Sequence, residues 1–186
     1  MALARDRDQG GAVDIELARM RRRHLRRVLS IEARVYPRPW SASLFLAELS
    51  QRGSRTYLVA RYDGEVVGYC GMMFMAKEAH VTNIAVDPDF HGRKVGTRLL
   101  LAIVTEAIAK GSDTISLEVR VSNVVAQAMY EKFGFSAVGF RKGYYIETHE
   151  DALVMVAKEA DSTDYRLRLQ TIRDEVEASL RDERRG

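Results

Sequence analysis

Residues 81–101 read VTNIAVDPDFHGRKVGTRLLL, and the reading of this stretch decides the fold. It opens as a strand, with Val81, Asn83 and Ala85 on one face and Thr82, Ile84 and Val86 on the other. The run stops at Asp87-Pro88, because proline cannot continue a hydrogen-bonded ladder. From about Lys94 to Lys110 the residues Val95, Leu99, Leu100, Ile103, Val104, Ala107 and Ile108 recur at helical spacing. Between strand and helix lies His91-Gly92-Arg93-Lys94-Val95-Gly96-Thr97-Arg98, which studs a helix N-terminus with cations. The first N–H groups of a helix have no partner within it, and the helix dipole adds partial positive charge there. Gly92 and Gly96 leave a ligand room to approach the backbone. Such a loop suits a multiply charged anion, most simply a pyrophosphate.

Outward from this unit, the pattern alternates between strands and helices. Downstream, Gly111 stops the helix, Ile115 to Val119 reads as a short strand, and Asn123 to Phe133 reads as a helix ended by Gly134. Val138 to Tyr145 and Leu153 to Ala157 then close a sheet. Upstream, Asp63-Gly64 joins Thr56–Tyr62 to Glu65–Met75 in a two-residue hairpin, and the Met72 to Met75 cluster reads as core. Ser41 caps a short helix carrying Leu44, Phe45, Glu48 and Leu49. Before it, Tyr36-Pro37-Arg38-Pro39-Trp40 breaks a helix that runs from His24 through Leu25, Val28, Leu29, Glu32 and Val35. Val13, Ile15 and Leu17 alternate with Asp14 and Glu16 as a first strand. Strands first joined by hairpins and later separated by helices give a mixed α/β sheet. After Ala157 the chain turns charged, yet Tyr165, Leu169, Ile172, Val176 and Leu180 keep helical spacing. Ser162 to Arg185 is therefore expected as an amphipathic helix that docks its stripe on its own domain or on another chain. The expected organisation is a disordered lead-in over 1–12, one domain over 13–158 and the charged helix segment over 159–186.

Composition bounds the function. The chain of 186 residues is 46% hydrophobic and 30% charged, as an ordinary globular protein is, with a mild net charge of +3. The single cysteine, Cys70, excludes an internal disulfide, sits in an apolar strand as packing, and agrees with a reducing cytoplasm. No apolar run is long enough to span a bilayer, and the N-terminus lacks a signal-peptide core. Arg19, Arg21, Arg22, Arg23, Arg26 and Arg27 could face RNA or an acidic partner. Without interleaved aromatics they read better as a solvated helix face, so no specific nucleic acid is expected. His24, His80, His91 and His149 are scattered without ligand spacing, and no metal is expected.

Together with Leu117-Glu118-Val119-Arg120, Asn123, Tyr130-Glu131-Lys132-Phe133-Gly134-Phe135 and Tyr144-Tyr145, the stretch resembles the GCN5-related N-acetyltransferases. Within them it resembles the ribosomal-protein-alanine (RimI-like) branch, over roughly Val13 to Ala157. One departure stands out: His91 occupies the first position of the phosphate loop and Lys94 that of its first glycine, with Gly96 kept. The resemblance implies the GNAT fold, a mixed central sheet with helices on both faces, and acetyl-CoA as cosubstrate. It implies direct transfer, in a ternary complex, to a protein N-terminus, that of ribosomal protein S18 beginning with alanine.

It also implies roles. The backbone of Ile84, Ala85 and Val86 would pair with the pantetheine amides as an added strand, the Val86 N–H serving as oxyanion donor. Arg93, Lys94, Val95, Gly96, Thr97 and Arg98 would grip the phosphates, and Asn123 would cap its helix and hydrogen-bond the cofactor. Glu118 would be the base; as a bare residue it could equally be a solvated strand glutamate. Tyr130 would return a proton to the departing thiolate, or be core. Trp40, Tyr144 and Tyr145 would flank the acceptor peptide, with Glu147, Glu150 and Asp151 favouring a cationic one; the plain alternatives are a tryptophan anchoring its loop and an exposed hairpin. A free α-amine titrates near ~7.7–8.0 against ~10.4 for lysine, so a carboxylate acting through water suffices as its base. Two other functions fit the same residues: acetylation of lysine side chains or a small amine, and a non-catalytic acyl-CoA-binding sensor or assembly module.

Overall fold

The computed structural model describes residues 15–183. The expected lead-in and Val13 lie outside them. Seven strands form one sheet in the order β1-β2-β3-β4-β5-β7-β6. These are β1 (Ile15–Arg19), β2 (Arg55–Tyr62), β3 (Glu65–Met75), β4 (Glu78–Val86), β5 (Thr114–Arg120), β6 (Ser136–Tyr145) and β7 (Glu150–Ala157). The helices are α1 (Leu25–Val35), α2 (Ala42–Ser50), α3 (Val95–Ala109), α4 (Val124–Lys132) and α5 (Thr163–Glu183).

Local chemistry sets most boundaries. Asp63 and Gly64 both hold positive φ, 48° and 79°, as a tight hairpin turn whose twist matches its strands requires. The Ser41 hydroxyl accepts from the Leu44 N–H at 3.2 Å and starts α2. All strand pairs are antiparallel except β4 with β5, which the α3 crossover joins in parallel. β4 begins at Glu78, three residues before the apolar run that announces it, because Glu78, Ala79 and His80 are the residues that pair with Thr114, Ile115 and Ser116.

Two cores sandwich the sheet. On one face α3 buries Val95, Leu99, Leu100, Ile103, Val104 and Ala107 against Cys70, Ile115, Leu117 and Met155. On the other, Leu25, Val28 and Ile31 of α1 and Phe45 of α2 cover Tyr57, Val59 and Tyr69. Helix α5 joins the first core through Tyr165, Leu169 and Ile172, so its stripe docks on its own chain. Of the methionine cluster only Met72 is fully buried; Met75 is 53% exposed at the strand end.

The basic cluster divides. Arg21, Arg22, Arg23 and Arg26 are solvated, as expected. Arg27 is not: it clamps the fully buried Asp87 at 2.5 Å, and Arg34 grips the other oxygen of the same carboxylate at 2.5 Å. This clamp ties α1 to the end of β4, where the loop before α3 begins.

Candidate active site

β4 and β5 pair only over Glu78–His80 and Thr114–Ser116. Beyond that point β4 continues on β3 as far as Val86, and β5 continues on β7 as far as Arg120. The two strands therefore splay, and a wedge opens between them. The Asp87 N–H donates to Val67 across β3, so by alternation the backbone of Ile84 and Val86 faces the wedge. Both carbonyls there are met by side chains rather than by a strand: the Tyr36 hydroxyl donates to Ile84 O at 2.8 Å, and His91 Nε2 lies 3.2 Å from Val86 O. Ala85 is buried and packs towards α1.

The loop at the wide end of the wedge is cationic and open. Arg93 lies over the Phe90 ring at 5.3 Å, and Arg93 and Lys94 are both exposed. Lys94 sits at the N-cap of α3 with φ 57°, in the left-handed region where glycine rests most easily. Gly92 has φ 77° and open space around its missing side chain. Val95 is buried and anchors the helix, while Gly96 and Thr97 are partly accessible at its first turn. Arg98 turns the other way. Its guanidinium reaches the Ile15 carbonyl at 3.4 Å, on the β1 side of α3.

Glu118 and Tyr130 come from opposite faces of the sheet. Leu117 and Val119 point into the α3 core, so Glu118 lies on the other face. There both its oxygens are engaged: Oε2 lies 3.0 Å from His80 Nε2, and Oε1 lies 2.9 Å from Arg141 Nε. The hydrogen bond from His80 holds the carboxyl below the usual range; burial opposes it, and the charges of His80 and Arg141 add to it. Tyr130 is 5% exposed with its ring tilted 5.9 Å from Phe135. Burial, reinforced by the nearby Tyr145 hydroxyl, drives its phenol far above the ordinary value, so the proton stays on.

Asn123 caps α4 through a 3.1 Å bond from Ala126 N–H to its Oδ1, which leaves its NH₂ group for another partner. Tyr144 and Tyr145 stack edge to face at 5.1 Å, and the Arg120 guanidinium lies 3.8 Å over Tyr145. Burial pushes Tyr145 up to about 12. Trp40 rests 5.3 Å from Phe45, and its backbone N–H donates to Glu32 Oε2 at 2.9 Å. The carboxylates expected to attract a cationic peptide are all paired, three of them with two cations. Glu147 and Glu150 pair with Arg120 at 2.7 and 3.3 Å, and Asp151 pairs with Lys142 at 3.2 Å. They also brace the β6–β7 hairpin.

The model of the Acetyltransferase (GNAT) family matches residues 25–135, from the start of α1 to the residue before β6. The chain belongs to the GNAT acetyltransferase family. It is an N-acetyltransferase of that family, whose acyl donor is acetyl-CoA. A Bacillus subtilis (strain 168) relative, provisionally named a ribosomal protein bS18-alanine N-acetyltransferase, is 40% identical over 136 residues, 73% of this chain and 90% of its own. The Salmonella typhimurium enzyme of that name is 38% identical over 127 residues, 67% of this chain and 84% of its own. The crystal structure of the Escherichia coli ribosomal-protein-S18-alanine N-acetyltransferase superposes with a TM-score of 0.72 at 30% identity, covering 78% of this chain and 94% of that one. As a GNAT site, the splayed wedge and the cationic loop fit a pantetheine arm ending in a pyrophosphate. The wedge offers an unladdered strand edge, and the loop offers N–H groups with no side chain over Gly92.

The sequence alone missed His80, Arg141 and Tyr36 as neighbours of the reacting region. The signal for His80 was faint but present: a polar side chain two residues before Thr82, on the strand that carries the wedge.

Proposed function

We propose that this GNAT enzyme acetylates the α-amino group of a protein N-terminus, that of ribosomal protein bS18 beginning with alanine, in the cytoplasm. The observation that carries the reading is the β4–β5 wedge, with a paired carboxylate on one face and a buried, protonated phenol on the other. The relatives' names supply the acceptor.

Acetyl-CoA supplies an activated acyl carbon. The chain does the rest. The N–H groups at the start of α3, with Arg93 and Lys94, hold the phosphates; the edges of Ile84 and Val86 align the pantetheine amides. Glu118 exchanges the Arg141 guanidinium for the incoming α-ammonium, takes its proton directly or through one water, and leaves a neutral nitrogen to attack the thioester carbon. The Val86 N–H receives the charge that develops on the thioester oxygen. As the C–S bond breaks, Tyr130 gives its proton to the thiolate, and the second proton shed by the attacking nitrogen restores the phenol. Trp40, Tyr144 and Tyr145 wall the acceptor side, and the NH₂ of Asn123 is available to the donor.

Thiol release with an alanine-starting peptide tests this directly. Glu118→Gln should lower kcat by about 10²- to 10⁴-fold while leaving the KM for acetyl-CoA within a few-fold, the range for losing a general base. Undiminished turnover in that variant contradicts the assignment.

A further inference from the structure

His80 is the last residue of β4 to pair with β5, opposite Ser116, and Glu118 follows on the same face of β5. The imidazole bridges the two. Its Nδ1 lies 2.9 Å from Ser116 Oγ and its Nε2 lies 3.0 Å from Glu118 Oε2. The ring is 23% exposed and the Glu118 side chain only 9%. An ionised carboxylate can only accept, so the nitrogen facing it carries a proton, and in the neutral ring Nδ1 then accepts from the Ser116 hydroxyl. Strand pairing and Ser116 thus aim the ring from behind, and the ring holds one oxygen of Glu118 while the other faces Arg141.

We propose that His80 is a positioning residue for acetyl transfer: its neutral form holds Glu118 ready to receive the amine proton, and its protonation weakens that carboxylate as a base. This rests on Glu118 being the base. In the working state an N–H bond of the α-ammonium breaks and an O–H bond forms at Glu118 Oε1, while His80 keeps its single proton throughout. A second proton enters at Nδ1, where Ser116 turns from donor to acceptor. The full charge then on the ring deepens its pairing with Glu118, lowers the proton affinity of the carboxylate and repels the arriving ammonium.

The groups around the ring allow this. From β5 they are Glu118 and Ser116; from β6, beyond the carboxylate, Arg141 with Tyr144 over it. The cross-strand neighbour on β3 is the uncharged Met73, and Glu78 precedes His80 on β4 itself. On the α2 side, Glu48 is held by Arg55 and by the Tyr57 hydroxyl, which also touches Thr82.

The test compares wild type, His80→Gln, His80→Ala and Glu118→Gln. It measures kcat against pH with an alanine-starting peptide at saturating acetyl-CoA, and the His80 titration by ¹⁵N NMR. Glutamine keeps a side-chain N–H near the place of Nε2 but does not titrate. The ionisation of the acceptor amine is common to both enzymes, so the ratio of wild-type to His80→Gln rates isolates position 80. The expected ratio is flat above the NMR midpoint of His80 and declines below it towards the lower rate of the charged form. His80→Ala should lose about 10- to 100-fold in kcat, less than removal of the base itself, with the KM for acetyl-CoA unchanged. A ratio independent of pH, or full kcat in a folded His80→Ala, overturns the proposal, and should His80→Ala not fold, the His80→Gln ratio decides alone. If Glu118→Gln is inactive in the same series, the base assignment survives that outcome; if Glu118→Gln is fully active, both fall.

Discussion

The Tyr36 hydroxyl donates to the Ile84 carbonyl at 2.8 Å and ties the loop after α1 to the strand edge that β5 has left. The bond satisfies a carbonyl that would otherwise face the open wedge. Removing it with Tyr36→Phe leaves that carbonyl for a pantetheine amide alone. A net hydrogen bond is worth about 0.5–1.5 kcal/mol, so the apo protein should lose that much stability and coenzyme A should bind about 2- to 10-fold more tightly. Chemical denaturation with and without coenzyme A, together with calorimetry, checks both signs. Weaker coenzyme A binding would show that the hydroxyl holds the ligand rather than its place.

Glu32 is 1% exposed beneath the Trp40 loop, where it accepts from Trp40 N–H and from the Tyr69 hydroxyl. Burial lifts its carboxyl from the ordinary 4.5 to about 7. The folded state therefore holds a proton that the unfolded chain has released across that window, and stability falls as pH rises from about 4.5 to 7, then levels. Glu32→Gln keeps an acceptor for Trp40 and cannot ionise. Its unfolding free energy should lack this slope and exceed that of wild type at pH 8. An unchanged slope in the variant would place the titration elsewhere.

Lys94 holds φ 57° at the start of α3, a conformation that costs a side-chain-bearing residue roughly 1–2 kcal/mol over glycine. Lys94→Gly should gain up to about 1 kcal/mol of stability, the remainder being offset by the chain entropy of glycine. It also removes one cation from the loop proposed to hold the phosphates, so coenzyme A affinity should fall and depend less steeply on salt. Thermal melts and titrations at two ionic strengths separate the effects. A destabilised variant would mean that the lysine side chain makes a contact outweighing its backbone strain.

Ile172 is 2% exposed where α5 packs on the α3 core. Ile172→Ala should cost about 2–5 kcal/mol in urea unfolding, as a large-to-small change in a packed core does, with kcat retained where the variant is folded. A cost below about 0.5 kcal/mol, the scale of a surface substitution, would show α5 to be loosely held.

Much of this arrangement was legible in the sequence because it is local. The strand, cationic loop and helix over residues 81–101 show their periods directly, and Asp63-Gly64, Ser41 and Asn123 act on residues within one turn of themselves. The rest is tertiary. His80 meets Glu118 only because β4 and β5 pair in one particular register, and Asp87 is buried only because two arginines from α1 reach it. Glu147, Glu150 and Asp151 look like an acidic lure in one dimension. In three, Arg120 and Lys142 pair with all of them and leave one negative charge unbalanced. Arg98 reads in the sequence as one more cation of the loop, and only the fold shows its guanidinium reaching the Ile15 carbonyl.

The most decisive assay offers acetyl-CoA and two peptides to the purified protein. One begins with a free alanine in the sequence of the bS18 N-terminus; the other is blocked at its N-terminus and carries lysine. Fragment mass spectra locate the added acetyl group. The expected product is a single acetyl on the alanine α-nitrogen of the first peptide, lost on Glu118→Gln, with the second peptide unmodified. Acetyl groups on lysine of the blocked peptide, with the free alanine untouched, would contradict the assignment of the acceptor.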